Sequence, residues 1–232
     1  MGTNTAGTNR IRYVLFDLDG TLTDPGVGIT NSVAYALERF GIRTEDKTSL
    51  YPYIGPPLMD SFRKYAHLSA PDSRKAIAYY REYFTDRRIF ENEVYPGIPE
   101  MLSRLRSGGK TLILATSKPE PFAQTVLTHF GLDGFFAFTA GATLDEKRTT
   151  KPEVIRYAMD LGGFSAGQAV MVGDREHDIH GAKENGMYAV GVLYGYGSRE
   201  ELICAGADAL AEKPENIPML PVFAEAEGKD CL

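Results

Sequence analysis

The sequence predicts an α/β fold: a doubly wound, Rossmann-like parallel sheet with an all-helical cap domain inserted after the first strand. Short continuous apolar runs recur along the chain, as expected for strands that are buried on both faces of a parallel sheet. From residue 95 onward these runs alternate with helical patterns, which is typical of a doubly wound sheet. Residues 24–93 break this alternation, because their apolar residues recur only at helical spacing.

Five apolar runs are the predicted strands of the sheet. Each is short and rich in strand-forming residues, and the first leads directly into a pair of aspartates. In an open parallel sheet, ligands bind beyond the carboxyl ends of the strands. The residues that follow each run are therefore the candidates for a functional site. The runs cover residues 12–16, 111–115, 135–138, 169–172 and 189–192.

The predicted helices between these strands have clear beginnings and ends. Residues 99–106 begin with proline and stop at two glycines, which is the usual asymmetry of helix ends. Residues 121–130 and 152–161 likewise start at a proline and stop at glycine. Ser198, followed three residues later by Glu201, predicts a capping box that opens a further helix.

The inserted segment, residues 24–93, contains three predicted helices and no convincing strand. We expect it to form a cap over a site at the sheet edge, with residues 1–23 and 94–232 forming a core that is discontinuous in sequence. The helical spacing is carried by Ile29, Val33, Leu37 and Phe40 in the first helix, Leu58, Phe62 and Tyr65 in the second, and Ile77, Tyr80 and Phe84 in the third.

Composition excludes several functional classes. The 232 residues carry 25 Lys and Arg against 31 Asp and Glu, and the net charge of −6 argues against a nucleic-acid polymer as partner. No run of about 18 apolar residues predicts a membrane span. Residues 1–9 lack the apolar segment of a secretory signal. Two cysteines, Cys204 and Cys231, make no disulfide framework, so we expect a cytoplasmic location.

Polar and charged side chains follow three of the predicted strands, and one lysine precedes a helix. Because the carboxyl ends of parallel strands meet at one edge, these side chains are expected at one site. They are Asp17 and Asp19 after the first strand, Thr116, Ser117 and Lys118 after the second, Asp174 and Asp178 after the fourth, and Lys151 before a helix.

Each of these signals is weak when taken alone. Asp17 and Asp19 with Gly20 could simply close a polar turn at a strand end, and a lone Lys151 is most often a solvated surface residue. Their occurrence together, at several strand ends, favours a functional site. Gly20 permits the sharp turn that points both aspartates toward that site.

The combined motifs resemble those of a known family. The set formed by Asp17-x-Asp19-Gly20-Thr21, Thr116, Lys151 and Gly173-Asp174-x-x-x-Asp178 resembles the four motifs of the haloacid dehalogenase-like hydrolase superfamily. The resemblance extends from residue 12 to about residue 210, and the insert resembles the small cap of the first cap class. Residues 17–25 and 173–178 resemble the phosphoglycolate phosphatase and 5′-nucleotidase-like branch.

The resemblance implies phosphate-ester chemistry shared by a few residues. Asp17 is the implied nucleophile, which would form an aspartyl-phosphate. Asp19 is the implied general acid and then base, and it favours a phosphatase over a dehalogenase or an ATPase. Thr116 is expected to hydrogen-bond a phosphoryl oxygen, although Ser117 fits the same role. Lys151 is expected to balance phosphoryl charge and to keep Asp17 ionised.

A divalent cation is expected because the clustered carboxylates would repel one another and a phosphate dianion. Mg²⁺ fits, since it prefers oxygen ligands and retains several waters. The expected ligands are Asp17, Asp174 and the backbone carbonyl of Asp19. Asp178 is expected to be either a further ligand or an anchor for the metal-bound waters.

Substrate contacts are expected from both parts of the chain. Gly20, Thr21 and Ser117 are the expected contacts in the core, and Gly55 is the expected contact in the insert. Gly55 belongs to a turn between two predicted helices, residues 53–57, where glycine and proline are equally consistent with a plain connection.

The predicted function is Mg²⁺-dependent hydrolysis of a small phosphorylated metabolite, 5′-nucleotidase-like or phosphoglycolate phosphatase-like. A pyrophosphatase, a phosphosugar mutase and a non-catalytic phosphate-ligand sensor are the alternatives on the same scaffold. Asp17 and Asp19 argue against the sensor, because a binding protein has little need of a paired nucleophile and acid. No nucleic-acid or membrane partner is predicted, and the chain is expected to be a monomer or weak dimer.

Overall fold

Six parallel strands form the central sheet of the protein, in the order β5-β4-β1-β6-β7-β8. The computed structural model describes residues 11–85, 88–145 and 147–224. The strands of this sheet are β1 (Tyr13–Phe16), β4 (Thr111–Pro119), β5 (Phe136–Ala142), β6 (Ala169–Gly173), β7 (Tyr188–Val192) and β8 (Ala209–Ala211), and β2 (Thr23–Asp24) and β3 (Glu93–Val94) form a separate pair.

Eight α-helices accompany these strands in the part of the chain described. Three of them belong to the insert and five alternate with strands of the core. They are α1 (Gly26–Glu38), α2 (Leu58–Tyr65), α3 (Ala70–Thr85), α4 (Ile98–Ser107), α5 (Glu120–His129), α6 (Lys151–Gly162), α7 (Glu176–Glu184) and α8 (Arg199–Cys204).

The sheet is covered on both faces, which confirms the predicted doubly wound α/β class. Val14 and Phe16 pack into one apolar cluster, whereas Leu15 between them packs into the other. This division follows from the strand geometry, in which successive side chains point to opposite faces. All three side chains are fully buried, so β1 lies at the centre of the core.

All five predicted strands coincide with observed ones, with small changes at their ends. β4 continues to Pro119, beyond its predicted end, and β5 begins at Phe136 and continues to Ala142. The sixth strand, β8, was not predicted, because three residues are too short to show a pattern. Ser198 caps α8 as predicted, since its side chain accepts a hydrogen bond from the Glu201 N–H at 3.1 Å.

The sheet register aligns the end of β1 with the end of β6 and with the middle of β4. Phe16 of β1 pairs with Leu114 of β4 on one side and with Val172 of β6 on the other. Asp17 therefore leaves the sheet between β4 and β6. This placement gathers the residues that follow β1 and β6 and the last residues of β4 at a single edge.

The insert is helical between its ends, and a short ribbon joins it to the core. α1 packs against α3, and a 3₁₀ turn at Lys47–Tyr53 follows α1. β2 pairs with β3 in antiparallel fashion, so the chain enters and leaves the insert side by side. Two-residue strands give no readable alternation, and the sequence did not predict this ribbon. The division into a core of residues 1–23 and 94–232 and a cap of residues 24–93 stays a prediction.

Some predictions concern regions at the periphery of the molecule. Within the three described ranges, no helix combines the length and the hydropathy needed to cross a membrane. Cys204 is exposed and forms no disulfide with another described residue. Residues 1–9 and Cys231 lie outside the described residues.

Candidate active site

Three aspartates form a buried carboxylate cluster at the sheet edge. Asp17 follows β1, Asp174 follows β6, and Asp178 lies in the first turn of α7. Each is at most 3% exposed, and one carboxylate oxygen from each lies within 4.8 Å of the others. Buried carboxylates at this spacing are a donor set for a hard metal ion.

The turn after β1 allows the cluster to close. Gly20 has φ of +85°, in the left-handed region that favours glycine. A Cβ atom at this position would lie 2.2 Å from Oδ2 of Asp174, so any other residue would displace that carboxylate. Gly20 therefore acts by its small size, as the predicted sharp turn requires.

Hydrogen bonds fix the orientation of the two later aspartates. Asp174 accepts from the Thr21 hydroxyl at 3.3 Å and from the Tyr196 backbone N–H at 2.8 Å. Asp178 accepts from the Arg175 backbone N–H at 3.1 Å. Burial raises the pKa of Asp174 well above its usual value, and the charges of Asp178 and Asp17 raise it further.

Lys151 supplies a positive charge within the carboxylate cluster. Its Nζ lies 2.9 Å from Asp17 and 2.7 Å from Asp178, and it donates to the Ala115 carbonyl at 3.1 Å. Burial lowers the pKa of Lys151, but the charges of Asp17 and Asp178 outweigh this effect and raise it. The amine is therefore charged. The pKa of Asp178 is raised to about 6, mainly by burial and against the effect of Lys151.

Asp19 has a different cationic partner, Lys118. The Lys118 Nζ donates to both carboxylate oxygens of Asp19, at 2.7 and 3.0 Å, and both side chains are buried. Burial raises the pKa of Asp19, and Lys118 opposes that rise. The sequence placed Lys118 at the end of its strand and assigned it no role. Its position directly after Ser117 was the available signal.

The two candidate hydroxyls at the end of β4 have different surroundings. Thr116 is buried, and its Oγ1 accepts from the Lys118 backbone N–H at 3.2 Å, which leaves its proton available to an acceptor. The Ser117 Oγ is also buried and has no hydrogen-bond partner among the described residues. Both positions therefore remain compatible with a phosphoryl contact.

A pocket between core and insert opens beside Asp19. Core residues Ser117 and Lys118 form one wall. The opposite wall comes from the insert and carries aromatic, prolyl and aliphatic side chains and one arginine. Its members are Ile29, Tyr53, Gly55, Pro56, Pro57, Leu58, Tyr80, Arg81 and Phe84. The structure thus brings the predicted contact Gly55 close to Asp19.

Thr21 occupies a different position from the other predicted substrate contacts. Its side chain is fully buried and its hydroxyl donates to Asp174, so it supports the carboxylate cluster. Gly20 also lies against Asp174. For both residues, direct contact with a substrate stays a prediction.

Comparison with known proteins agrees with this arrangement. Residues 14–192 match the family described as haloacid dehalogenase-like hydrolase. The chain is 46% identical over 194 residues to a 5′-nucleotidase of Pseudomonas aeruginosa, covering 83% of this chain and 88% of that protein. It is 38% identical over 186 residues to tyrosine-protein kinase PtkA of Mycobacterium tuberculosis, covering 80% of this chain and 63% of PtkA.

A solved structure extends the comparison to the whole fold. A predicted phosphatase from Clostridium acetobutylicum superposes with a TM-score of 0.89 at 46% identity, covering 91% of this chain and 100% of that one. The resemblance inferred from the four sequence motifs is thereby confirmed. The chain belongs to the haloacid dehalogenase-like hydrolase family and is a phosphatase of that family.

Proposed function

We propose that this phosphatase is a Mg²⁺-dependent phosphomonoesterase that forms an aspartyl-phosphate on Asp17. One observation carries the proposal: the two aspartates of the first motif have separate partners. Asp17 lies in the carboxylate cluster beside Lys151, whereas Asp19 pairs with Lys118 at the edge of the pocket. Two carboxylates in distinct surroundings can perform distinct tasks, one as nucleophile and one as acid and base.

The carboxylate cluster fits Mg²⁺ by its chemistry. All three side chains offer oxygen, all are buried, and their mutual repulsion is relieved by a divalent ion. Asp17, Asp174 and the Asp19 carbonyl are the proposed ligands, and Asp178 is a further ligand or an anchor for bound waters. When bound, the ion would neutralise charge on the phosphoryl group and on the attacking carboxylate.

The proposed reaction has two steps. In the first, an Asp17 oxygen attacks phosphorus, the bond to the ester oxygen breaks, and Asp19 gives its proton to the leaving alkoxide. In the second, Asp19 takes a proton from water, which attacks phosphorus and releases phosphate and the Asp17 carboxylate. Lys151, with Thr116 or Ser117, would hold the phosphoryl oxygens throughout.

The proposed substrate is a small phosphorylated metabolite, with nucleoside 5′-monophosphates as the first candidates. The aromatic wall of the pocket, including Tyr53 and Tyr80, favours a leaving group with a ring. The 46% identity to a protein named 5′-nucleotidase supports the same choice. Phosphoglycolate, the other substrate considered from sequence, has no ring to contact this wall.

A phosphate-release assay tests the proposal. The purified protein is incubated with nucleoside monophosphates, phosphoglycolate, pyrophosphate and a hexose phosphate, with Mg²⁺ or with EDTA. We expect release from at least one monoester, loss of release in EDTA and recovery when Mg²⁺ is added. Release from pyrophosphate alone, isomerisation of the hexose phosphate, or binding without release would instead support the pyrophosphatase, the mutase or the sensor.

We also propose that the protein acts in the cytoplasm as a monomer or weak dimer, without a nucleic-acid or membrane partner. The net charge of −6 supports the absence of a polyanionic partner. Sedimentation at several concentrations measures the oligomeric state, and a stable higher oligomer would contradict this part of the proposal.

A further inference from the structure

Arg175 connects the core to the insert through a buried hydrogen bond. It directly follows Asp174, in the loop between β6 and α7, and it is only 8% exposed. Its Nη1 donates to the backbone carbonyl of Ile54 in the insert at 2.6 Å. A charged donor makes this bond stronger than a neutral one, and its burial protects it from water.

A second contact holds the guanidinium in place from the core side. The Arg175 Nε donates to Glu201 in the first turn of α8 at 2.8 Å. The same Glu201 oxygen accepts from the Glu176 backbone N–H at 2.9 Å. The planar guanidinium therefore spans a fixed carboxylate and a carbonyl, which a lysine could not match with the same geometry.

The carbonyl that Arg175 binds belongs to the cap turn, residues 53–57. Gly55 in this turn has φ of +100°, and a Cβ atom there would lie 3.0 Å from Arg175 Cγ. Tyr53 and Gly55 also line the pocket beside Asp19. The position of this turn thus sets the shape of the pocket wall that a leaving group would meet.

We propose that Arg175 is a positioning residue that holds the cap turn against the loop carrying Asp174, and so keeps the leaving-group pocket closed. The kinetic test of this proposal rests on the phosphatase function proposed above. A substrate whose leaving group fills the pocket depends on the seated turn, because its contacts with the turn exist only then. A substrate with a very small leaving group does not.

A fluorescence experiment tests the docking itself and needs no activity. The sequence contains no tryptophan, so Tyr51→Trp places a single tryptophan, excited selectively over the tyrosines, next to the cap turn. Tyr51 is 43% exposed and its ring lies 5.2 Å from that of Tyr196 in the core, so docking covers part of this position. In this background Arg175→Met is compared with Arg199→Met, which removes an exposed arginine of α8 paired with Glu212.

We expect Arg175→Met to raise the acrylamide quenching constant at least about twofold, because the cap turn leaves the core. Arg199→Met should leave it unchanged, and circular dichroism checks that both variants are folded. Arg175→Lys, which keeps the charge, should give an intermediate value and serves if the methionine variant fails to fold. Equal quenching in Arg175→Met, Arg175→Lys and Arg199→Met would overturn the proposal.

Kinetics then separate positioning from a general loss of structure. Loss of one charge-assisted hydrogen bond predicts a rise of about 10-fold in KM for a nucleoside monophosphate, with a smaller change in kcat. Acetyl phosphate should be hydrolysed within about twofold of the parent rate. An equal loss on both substrates would overturn the positioning role. A parent protein without activity would contradict the proposed function, and the quenching comparison would still decide the docking.

Discussion

Asp17 and Asp19 are two residues apart, and each forms an ion pair with a different lysine. Lys151 approaches Asp17 to 2.9 Å, and Lys118 approaches Asp19 to 2.7 Å. Successive residues beyond a strand end thus enter different surroundings, one within the carboxylate cluster and one at the pocket. This separation is what allows neighbouring carboxylates to differ in role.

The nucleophile assignment predicts a severe loss in Asp17→Asn. The amide keeps the size of the side chain but cannot form an acyl phosphate, so phosphate release should fall at least about 10³-fold. The assay is colorimetric phosphate release at saturating substrate. Asp133→Asn, at an exposed position, is the control and should keep the parent rate. Phosphate release at the parent rate by Asp17→Asn would show that Asp17 is not the nucleophile.

Lys118→Met tests the partner of Asp19. A buried carboxylate without a cation favours its neutral form. After giving its proton to the leaving group, Asp19 would regain one from solvent, and in that form it cannot take a proton from the attacking water. We expect phosphorylation of the protein to persist, while steady-state turnover falls about 10-fold or more and the phosphoprotein accumulates. Intact-mass spectrometry after rapid acid quench measures this. Unchanged turnover without accumulation would show that Asp19 does not need Lys118.

At the scale of elements, helix ends position the charged groups. Lys151 is the first residue of α6, and Glu153 accepts from the backbone N–H groups of Thr149 at 2.9 Å and Thr150 at 3.0 Å. These bonds satisfy donors that a helix N-terminus leaves without partners. The start of α6, and with it the root of the Lys151 side chain, is therefore fixed by a residue outside the site.

The hydrogen bonds that Glu153 accepts at the start of α6 predict a pH-dependent contribution to the stability of the folded protein. The backbone hydrogen bonds from Thr150 and Thr149 lower the pKa of Glu153, so its contribution is present above about pH 4.5 and is lost as pH falls through the lowered pKa. Glu153→Gln should cost about 0.5 kcal/mol at pH 7, since the side chain is exposed. Chemical denaturation at pH 7 and pH 3 measures the difference.

As the pH falls and Glu153 takes up a proton, the stability difference between the Glu153→Gln variant and the parent should shrink, because both side chains are then neutral. Glu100→Gln, in the first turn of α4, is a matched control for adding an amide near a helix start. A constant difference between parent and Glu153→Gln at both pH values would show that the charge of Glu153 contributes nothing.

At the scale of the whole molecule, the carboxylate cluster that is proposed to carry the activity lowers the stability of the folded protein. Burial and the charges of Asp178 and Asp17 raise the pKa of Asp174, so in the absence of a metal this cluster destabilises the folded chain at neutral pH. Only one lysine, Lys151, contacts the cluster directly among the described residues. Relief of the remaining repulsion comes from proton uptake, from a bound cation or from mutation.

Asp174→Asn should therefore stabilise the metal-free protein by about 1 kcal/mol, since the amide keeps an acceptor for the Tyr196 N–H. Thermal unfolding in EDTA and in excess Mg²⁺ measures this. We expect the variant to melt higher than the parent in EDTA, and the parent to gain more from Mg²⁺ than the variant. A lower melting temperature of the variant in EDTA would contradict the repulsion described here.

Sequence reasoning predicted what depends on local pattern. The strand β1, the carboxylates that follow it and the cap residue Ser198 are each recognisable within a few residues of chain. It did not predict the contact between Arg175 and Ile54. These two residues are 121 positions apart and meet only when the insert packs on the core. The partnership of Lys118 with Asp19 was missed for the same reason, because periodicity does not encode which side chains meet between two packed parts.

The β2–β3 ribbon has a consequence for how such a protein can change. Both covalent crossings into the insert occur at neighbouring two-residue strands, and the Gly20 N–H donates to the Thr23 carbonyl at 2.7 Å just before them. The turn that carries Asp17 and Asp19 is thus closed before the chain enters the insert. We expect that an insert of different size or shape can replace this one at the junction while the core keeps its structure. Substrate preference and chemical competence would then evolve as separable modules.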